Sequence, residues 1–235
     1  MSTQVSGWTT LAEDPPVLVK EYKFGSGSAN ALAVALPERK WMIMSPPASI
    51  TPADVEGFSK LGTVAALIEN NGLHHLGLGP CRAQFPEAVT YAAPSAAERI
   101  RKKGQDFGQL EPLEKLQPLL GNKVALIPVD GAKFGDVCVR VQTEKGTLFY
   151  AGDFIANIQT LPKNLLFKLM FKLTDSGPGL KVFGLFFWFF VSDRKAARAC
   201  LIRELEQNPP TILVPAHGDV VARQEVGPTL ISMLR

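Results

Sequence analysis

Three histidines and one aspartate are the residues of this chain that are best suited to bind a metal ion. The sequence contains only three histidines: His74 and His75 are adjacent, and His217 lies in a Pro-Ala-His-Gly-Asp run. Asp153 comes directly after an apolar run that ends in Tyr-Ala-Gly. Three imidazoles and one carboxylate suit Zn²⁺, and also Fe or Mn. The four residues therefore predict a site for one divalent metal ion.

Such a site would support hydrolysis. A bound divalent ion can lower the pKa of a water molecule to about 7, which makes hydroxide available at neutral pH. We expect Asp153 to be a ligand and also the catalytic proton acceptor. Asp219 could orient His217 through a hydrogen bond. Asn70 is a further candidate for a residue that holds a metal ligand in place by a hydrogen bond. The substrate would be an ester, a thioester, a lactone or a phosphoester.

Each of these residues also has an ordinary structural explanation. Adjacent histidines on an extended loop point to opposite sides, so that only one of His74 and His75 would then be a ligand. His74 could be a buried, hydrogen-bonded residue, because burial demands hydrogen bonds more often than it demands a metal. Asp153 and the run around His217 could each be a turn. Both interpretations stay open at the level of sequence.

Apolar runs and turn residues indicate the elements that would position these side chains. Strands are predicted over 17–24, 31–36, 40–45, 64–68, 89–92, 123–127, 137–141, 147–151 and 211–214. A helix is predicted to open at Thr51, with Pro52 at its first position and Asp54 in its first turn. Further helices are predicted up to about residue 85, over 96–102, from a Ser192 cap to 207, and over 224–235.

The order of these elements indicates the fold class. Strands in two groups, each closed by helices, predict an α/β (α+β) protein with a four-layer αββα sandwich in one domain, residues 1–235. The candidate ligands then follow the ends of apolar strands, where rigid scaffolds usually carry functional residues.

The composition indicates which classes of partner and which cellular location to expect. The net charge of +3 is small and evenly spread, which does not favour nucleic acid. Three cysteines without a pairing motif are typical of reduced, intracellular thiols, and the N-terminus lacks a signal-peptide pattern, so that cytoplasm is the expected location. The apolar run over 182–191 has about half the length that a transmembrane helix needs.

The pattern of candidate ligands resembles the metallo-β-lactamase superfamily. That family has a His-x-His-x-Asp-His loop after a strand, then a lone histidine, a Gly-Asp after a strand, and a late histidine beside a glycine. Here His75 and Gly77 match the end of the loop, and Gly152-Asp153 and His217-Gly218 match the later landmarks. The resemblance covers residues 17–221 and implies the αββα fold and a metal-dependent hydrolase.

Several ligand positions of the family carry other residues in this chain. Asn70 and Gly72 stand for the loop's first two histidines, and His74 stands for its aspartate. The lone histidine would fall near 131–133, Gly-Ala-Lys, and the acid that ends an early strand is Ser45. The resemblance thus implies a lost first metal site and one retained ion, bound by the four residues named at the outset. It extends to a little-characterised branch with an Asn-x-x-His-His loop.

Residues 161–191 form a second unusual region. They contain seven of the fourteen phenylalanines, and a Thr-Asp-Ser-Gly-Pro-Gly run divides them into two halves. One helix face would be shared by Leu165, Leu166, Leu169, Met170 and Leu173, with lysines on another flank. The resemblance implies a helical insert that roofs the site, with a substrate pocket lined by Phe186, Phe187 and Trp188. Core packing, a homodimer contact and a helix lying on a membrane surface are the alternatives.

Three functions therefore remain at the level of sequence. The first is a mononuclear metallo-hydrolase that acts on a small-molecule substrate. The second is a catalytically degenerate family member, with no metal, that binds a small ligand or a partner; the missing imidazoles at Asn70, Gly72 and Ala132 favour it. The third is a peripheral membrane protein that uses residues 161–191.

Overall fold

The computed structural model describes residues 3–25, 27–103 and 108–235. Its strands are β1 (Thr9–Glu13), β2 (Pro16–Phe24), β3 (Gly27–Leu36), β4 (Lys40–Met44), β5 (Thr63–Ile68), β6 (Val89–Tyr91), β7 (Val124–Pro128), β8 (Val137–Thr143), β9 (Gly146–Tyr150), β10 (Ile155–Ile158), β11 (Gly179–Val182), β12 (Ile212–Val214), β13 (His217–Gly218) and β14 (Val221–Ala222). Its α-helices are α1 (Pro52–Leu61), α2 (Leu78–Gln84), α3 (Pro94–Lys102), α4 (Gln117–Leu120), α5 (Leu165–Leu173), α6 (Gly184–Phe190), α7 (Arg194–Gln207) and α8 (Val226–Leu234). Short 3₁₀ turns cover Pro37–Arg39 and Leu113–Leu116.

The described strands form two large sheets and one small one. The first sheet has the order β1-β2-β3-β4-β5-β6, antiparallel as far as β4 and parallel from β4 to β6. The second has the order β14-β12-β9-β8-β7, and a three-stranded sheet has the order β11-β10-β13. In that small sheet β10 runs parallel to β13, with Ala156 opposite His217.

Three apolar clusters show how the layers stack. One lies between the two large sheets and includes Met42 and Tyr150. A second packs the outer face of the first sheet against α1 and α2, around the fully buried Phe58. The third packs the second sheet against α6, α7 and α8, with Leu201 and Leu230 at its centre. The order helix, sheet, sheet, helix is the αββα sandwich that the sequence predicts, and this prediction is confirmed.

The predicted start of helix α1 agrees with the structure, whereas the predicted start of helix α7 does not. Helix α1 begins as predicted: Thr51 Oγ1 accepts a hydrogen bond from the Asp54 backbone at 3.2 Å, and the Asp54 carboxylate accepts one from the Thr51 backbone at 2.7 Å. The prediction of Ser192 as the cap of α7 is wrong. Asp193 accepts from the Ala196 backbone instead, because the Ser192 hydroxyl donates to the carbonyl of Gly131.

The aromatic segment differs from the predicted helical insert. Its middle is a strand, β11, that pairs with β10 in antiparallel fashion. Strands of four residues are too short to show a clear period in sequence, and their hydrogen bonds come from distant partners. In α5 only Phe171 is buried, whereas Leu165 is 80% and Leu173 75% exposed, so that core packing does not account for this helix.

Among the described residues, no helix combines the length and the apolar character needed to cross a membrane.

Asp54 connects helix α1 to the first sheet, and its removal should be costly. Its buried carboxylate accepts hydrogen bonds from Trp8 Nε1 at 2.7 Å and from Lys20 Nζ at 2.7 and 2.8 Å. We expect Asp54→Ala to lower the free energy of unfolding by about 3 kcal/mol, because it leaves the Lys20 ammonium without its partner. Asp193→Ala, which removes only a cap, should cost about 1 kcal/mol. Urea denaturation measures both values, and equal losses would contradict this role.

The cost of Asp54→Ala should depend on pH. Burial alone would raise the pKa of Asp54, but hydrogen bonds from Lys20 and Thr51 outweigh it and hold the pKa below the ordinary 3.8. A lowered folded-state pKa stabilises the fold above the unfolded value and loses that effect as pH falls through the folded value. The difference between the wild type and the variant should therefore shrink below pH 3.8.

Candidate metal centre

Three of the four predicted ligands lie together at one end of the sheets. The ligand atoms of His74, Asp153 and His217 all lie within 4.8 Å of one another. His74 belongs to the loop after β5, Asp153 follows β9, and His217 begins β13. Asp153 Oδ1 lies 3.1 Å from Nε2 of each histidine, and the two imidazole centroids are 5.3 Å apart. Two ring nitrogens thus converge on a single carboxylate oxygen.

The backbone holds His217 in one orientation. Its Nδ1 lies 2.7 Å from the carbonyl oxygen of Ser28, and a carbonyl can only accept, so that Nδ1 carries a hydrogen. Gly218 lets this strand approach β10 closely, because a Cβ there would lie 2.1 Å from the carbonyl oxygen of Asn157. Nε2, facing Asp153, therefore either carries a second proton or points its lone pair at a cation.

Hydroxyl groups hold His74 from the side opposite Asp153. Its Nδ1 lies 3.1 Å from Ser45 Oγ and 3.5 Å from the hydroxyl of Tyr22. Ser45, where the family resemblance leads one to expect an acid, directly follows β4 and has a left-handed φ of 54°. Burial raises the pKa of Tyr22, so that this residue stays a hydroxyl near neutral pH. His74 is thus buried with both ring nitrogens in polar contact, and Nε2 faces the cluster.

The charge of Asp153 is stabilised by the two imidazoles. Burial alone would raise its pKa, but the neighbouring His74 and His217 outweigh burial and hold the pKa of Asp153 well below its usual range. Asp153 in turn raises the pKa of His217 above 6.5, against the opposite effect of burial. The carboxylate of Asp153 and the protonated form of His217 thus stabilise each other, and a divalent cation at Nε2 would compete with that proton.

Asn71, the asparagine of the Asn-x-x-His-His loop, holds Asp153 in place, although it was not among the predicted site residues. Its Nδ2 donates to Asp153 Oδ2 at 2.7 Å and to Asp136 Oδ1 at 2.8 Å, while its Oδ1 accepts from the Leu73 backbone at 2.8 Å. Burial, and then the charge of Asp153, raise the pKa of Asp136 well above its usual range. Asn71 thus ties the carboxylate, its own loop and a second buried acid together.

Three other predicted residues lie outside this arrangement. His75 is half-buried, lies outside the cluster, and has an Nδ1 with no hydrogen-bond partner among the described residues. Burial, with the positive charges of Lys103 and Arg99, lowers its pKa. The Asn70 side chain is buried and also has no partner within the described chain. Asp219 makes backbone hydrogen bonds to Asn157, and Ser28 rather than Asp219 orients His217.

The space beside Gly72, where the resemblance places a histidine of the first site, is filled by other side chains. A Cβ on Gly72 would lie 2.7 Å from Arg99 Cδ, so that the arm of Arg99 takes the space of a side chain at this position. The Arg99 guanidinium lies 4.0 Å from the ring centroid of Phe134, and Phe134 packs on Phe190. In the part of the chain that the structure describes, no second metal-binding cluster is found.

A small cavity of about 190 Å³ opens onto the cluster. Apart from His74, Asp153 and His217, it is lined by Tyr22, Phe24, Leu73, Leu76, Phe183, Leu185, Phe186 and Phe190. The ring of Phe183, which sequence reasoning did not place in the pocket, lies 5.9 Å from that of His217. Of the predicted pocket residues, Phe186 lines this cavity, whereas Phe187 and Trp188 line a separate hollow. The cluster therefore lies at the base of an apolar pocket.

The three side chains fit a divalent metal. They offer two imidazole nitrogens and one carboxylate oxygen, a common catalytic set that leaves one coordination position open. Each of the three side chains is oriented by a second polar contact: His217 with Ser28, His74 with Ser45, and Asp153 with Asn71. Such contacts are usual around metal ligands.

The overall structure is similar to solved metallo-β-lactamases. A metallo-β-lactamase from Pontibacter korlensis matches 98% of this chain and 99% of its own, with 12% identity and a TM-score of 0.59. The DIM-1 metallo-β-lactamase exposed to ceftazidime matches 98% of each chain, with 13% identity and a TM-score of 0.59. The metal-soaked Flv1 flavodiiron core from Synechocystis matches all of this chain and 62% of its own, with 14% identity and a TM-score of 0.58.

This protein therefore has the metallo-β-lactamase fold, as the order of its landmarks indicated. No protein-family model and no curated protein matches its sequence. At these low identities the structural likeness establishes the fold, and the chemistry has to be argued from the site itself.

Substitution of the neighbouring residues Asn70 and Asn71 tests whether the hydrogen bonds of Asn71 stabilise the site. Both are buried, but Asn71 makes three hydrogen bonds and Asn70 makes none through its side chain among the described residues. We expect Asn71→Ala to lower the free energy of unfolding by about 2 to 4 kcal/mol, since it leaves two buried acids without their donor. Asn70→Ala should cost less than half as much. Thermal or urea denaturation decides, and the reverse order would contradict the assignment.

Proposed function

We propose that this protein is a mononuclear metallo-hydrolase whose single divalent ion is bound by His74, Asp153 and His217. The observation that carries the proposal is the convergence of two Nε2 atoms on Asp153 Oδ1, at 3.1 Å each, at the base of an apolar cavity. Zn²⁺ suits this donor set best, and Fe or Mn would also fit.

The surrounding residues prepare the ligands for a cation. The Ser28 carbonyl keeps the hydrogen of His217 on Nδ1, which leaves the Nε2 lone pair free once the imidazolium is deprotonated. The hydroxyls of Ser45 and Tyr22 lie at Nδ1 of His74 and can accept its hydrogen, which would leave the Nε2 lone pair of His74 free as well. A divalent ion bound there would polarise the substrate's carbonyl or phosphoryl oxygen and lower the pKa of a water molecule.

We assign Asp153 the role of ligand rather than of proton acceptor. Its pKa is held well below the usual range, and its Oδ2 already accepts a hydrogen bond from Asn71. A carboxylate with so low a pKa is a weak base, since general bases work best with a pKa near the operating pH. The polar contacts of Asp153 thus favour binding and orientation of the cation.

The lining of the cavity favours a neutral, apolar substrate. The residues that line it include several phenylalanines and leucines, and no lysine or arginine is found among them in the described chain. A phosphoester or a free carboxylate would have no cationic side chain to bind. We therefore infer an ester, a thioester or a lactone with an apolar group that contacts Phe183 and Phe186.

One observation favours a second function, a binding module without turnover. The His–Asp–His contacts at 3.1 Å are complete without a cation, and Arg99 fills the place of the missing first site. In this alternative the cavity binds a small apolar ligand, and the buried ion pair stabilises its base.

Metal binding can be tested with the adjacent histidines. Protein purified without chelator should bind close to one equivalent of Zn²⁺, measured by plasma mass spectrometry and by competition with a chromophoric chelator. His74→Ala and His217→Ala should weaken affinity by about 100-fold or more, because each removes one of three ligands. His75→Ala is the matched control and should change affinity by less than threefold. Equal losses for His74→Ala and His75→Ala would contradict the ligand set.

Affinity should also increase with pH. Because Asp153 raises the pKa of His217 above 6.5, protons compete with the metal up to and beyond that pH. Zn²⁺ affinity should therefore rise steadily through this range, and calorimetry in buffers of different ionisation enthalpy should detect proton release. Affinity that is independent of pH between 6 and 8 would contradict a proton-competed His217.

Hydrolysis can be tested with chromogenic substrates. The Zn²⁺-loaded protein should cleave p-nitrophenyl butyrate or a medium-chain lactone and should leave p-nitrophenyl phosphate intact, because the cavity lacks cations. His217→Ala should lower kcat/KM by about 100-fold or more, whereas His75→Ala should keep most of the activity. Stoichiometric metal with no turnover of any ester, thioester or lactone would favour the binding module instead.

A further inference from the structure

Helices α5 and α6 expose a concentrated group of large apolar side chains. Among the described residues, seven of the nine exposed large hydrophobic side chains lie on these two helices, which we call the α5–α6 patch: Leu165, Leu166, Phe167, Leu169, Leu173, Trp188 and Phe189. Scattered exposed leucines are ordinary, but a contiguous group of this kind marks an interaction surface.

The apolar arc of α5 points away from the protein. The only buried residue of this helix is Phe171, which packs against Phe183 with ring centroids 5.6 Å apart. At about 100° per residue, Leu165, Leu169 and Leu173 lie on the opposite side of the helix from Phe171. Asn164 caps the helix with hydrogen bonds to the backbones of residues 166 and 167. The helix is therefore anchored by one face and leaves its leucine face without a partner.

The charges around the patch are predominantly positive. Between residues 154 and 192 the chain has four lysines, Lys163, Lys168, Lys172 and Lys181, and one acid, Asp175. Asp175 is already paired with Lys181. Lys168 and Lys172 lie one turn apart, on the flank of α5 next to Leu165 and Leu169. A leucine face bordered by lysines is typical of a helix that lies in a membrane interface.

A basic hollow lies beside the patch. Its polar and aromatic lining includes Asp175 after α5, Trp188 of α6, and Lys181, Arg194 and Arg198. Asp175 is paired with Lys181, so that the two arginines give the hollow its net positive charge. Arg194 stacks on the Trp188 ring, with its guanidinium 5.0 Å from the ring centroid. Cations next to exposed aromatic and leucine side chains are suited to lipid phosphates at the level of the headgroups.

We propose that the α5–α6 patch docks the protein on the surface of a bilayer that contains anionic lipids. Helix α5 lies in the plane of the interface, with its leucines among the upper acyl chains and its lysines among the headgroups. A second copy of the chain fits this surface less well, because a contact between identical patches would bring together the lysine excess of both copies, with Asp175 already paired to Lys181. The inference depends on exposed residues alone and not on the metal.

Docking would place the cavity close to the lipid. Phe183 connects the two regions, since it packs on Phe171 of α5 and lies 5.9 Å from His217. Leu76, at the cavity, is also half exposed. An apolar substrate could thus pass from the bilayer into the cavity with little exposure to water.

The test is co-sedimentation with vesicles, using the whole protein without added metal. Wild-type protein should bind phosphatidylcholine vesicles that contain one third phosphatidylserine, and should bind pure phosphatidylcholine at least tenfold more weakly. Leu165→Ser/Leu169→Ser/Leu173→Ser should reduce binding at least tenfold, whereas Val89→Ser, an exposed apolar residue elsewhere, should not. Circular dichroism verifies that the variants are folded.

Charge and fluorescence variants complete the test. The triple variant Lys163→Gln/Lys168→Gln/Lys172→Gln should abolish the preference for anionic vesicles. The control variant replaces three exposed lysines on other elements, Lys60, Lys102 and Lys115, by glutamine. It has the same change in net charge and should keep the preference. Trp188 is 59% exposed, whereas Trp8 and Trp41 are buried. Vesicles should therefore shift tryptophan emission to the blue in the wild type and not in Trp188→Phe.

Two outcomes would overturn the proposal. One is the absence of sedimentation with either kind of vesicle. The other is a dimer, seen by sedimentation velocity, that the leucine variant dissociates while vesicles bind neither form; the patch would then be a contact between copies of this chain.

Discussion

The carboxylate of Asp153 is the charge on which the site depends. It is buried where two sheets and three loops meet, and burial of an unpaired carboxylate would be very unfavourable. His74 and His217 compensate that charge from one side, and Asn71 accommodates it from the other. Because each partner comes from a different segment, the carboxylate brings the loop after β5, the end of β9 and strand β13 to one point. The same convergence that stabilises the buried charge produces the set of candidate metal ligands.

The candidate metal centre has one cluster of ligand side chains within a metallo-β-lactamase fold. The imidazoles at the base of the cavity are supported by Ser28, Ser45 and Tyr22, while the space beside Gly72 is packed with the arm of Arg99. The Arg99 guanidinium stacks on Phe134, and no second cluster of metal-binding side chains is found among the described residues. The proposed single ion, at the base of an apolar cavity, would favour neutral, apolar substrates. The exposed leucines of α5 are consistent with such substrates, because they also favour contact with lipid.

The fold and the general place of the site could be predicted because they follow from local patterns. Apolar runs, turn residues and the Thr51–Asp54 cap involve neighbours in sequence, so that strands and helix starts could be assigned without distant contacts. Errors arose where a distant group competes with a local one. Ser192 donates to Gly131, which leaves Asp193 to cap α7, and β10 is a strand because β11 and β13 pair with it.

Residue types and their order determined that the chain carries a histidine and aspartate cluster at the ends of strands of a metallo-β-lactamase fold. Only the tertiary structure decided which members meet. Adjacent residues on a loop point in different directions, so that His74 enters the cluster and His75 does not, and Asn71 binds Asp153 while Asn70 has no such contact. That choice depends on the backbone angles of the loop after β5, and these are set by its hydrogen bonds to Phe134 and Val137, more than 60 residues away in the sequence.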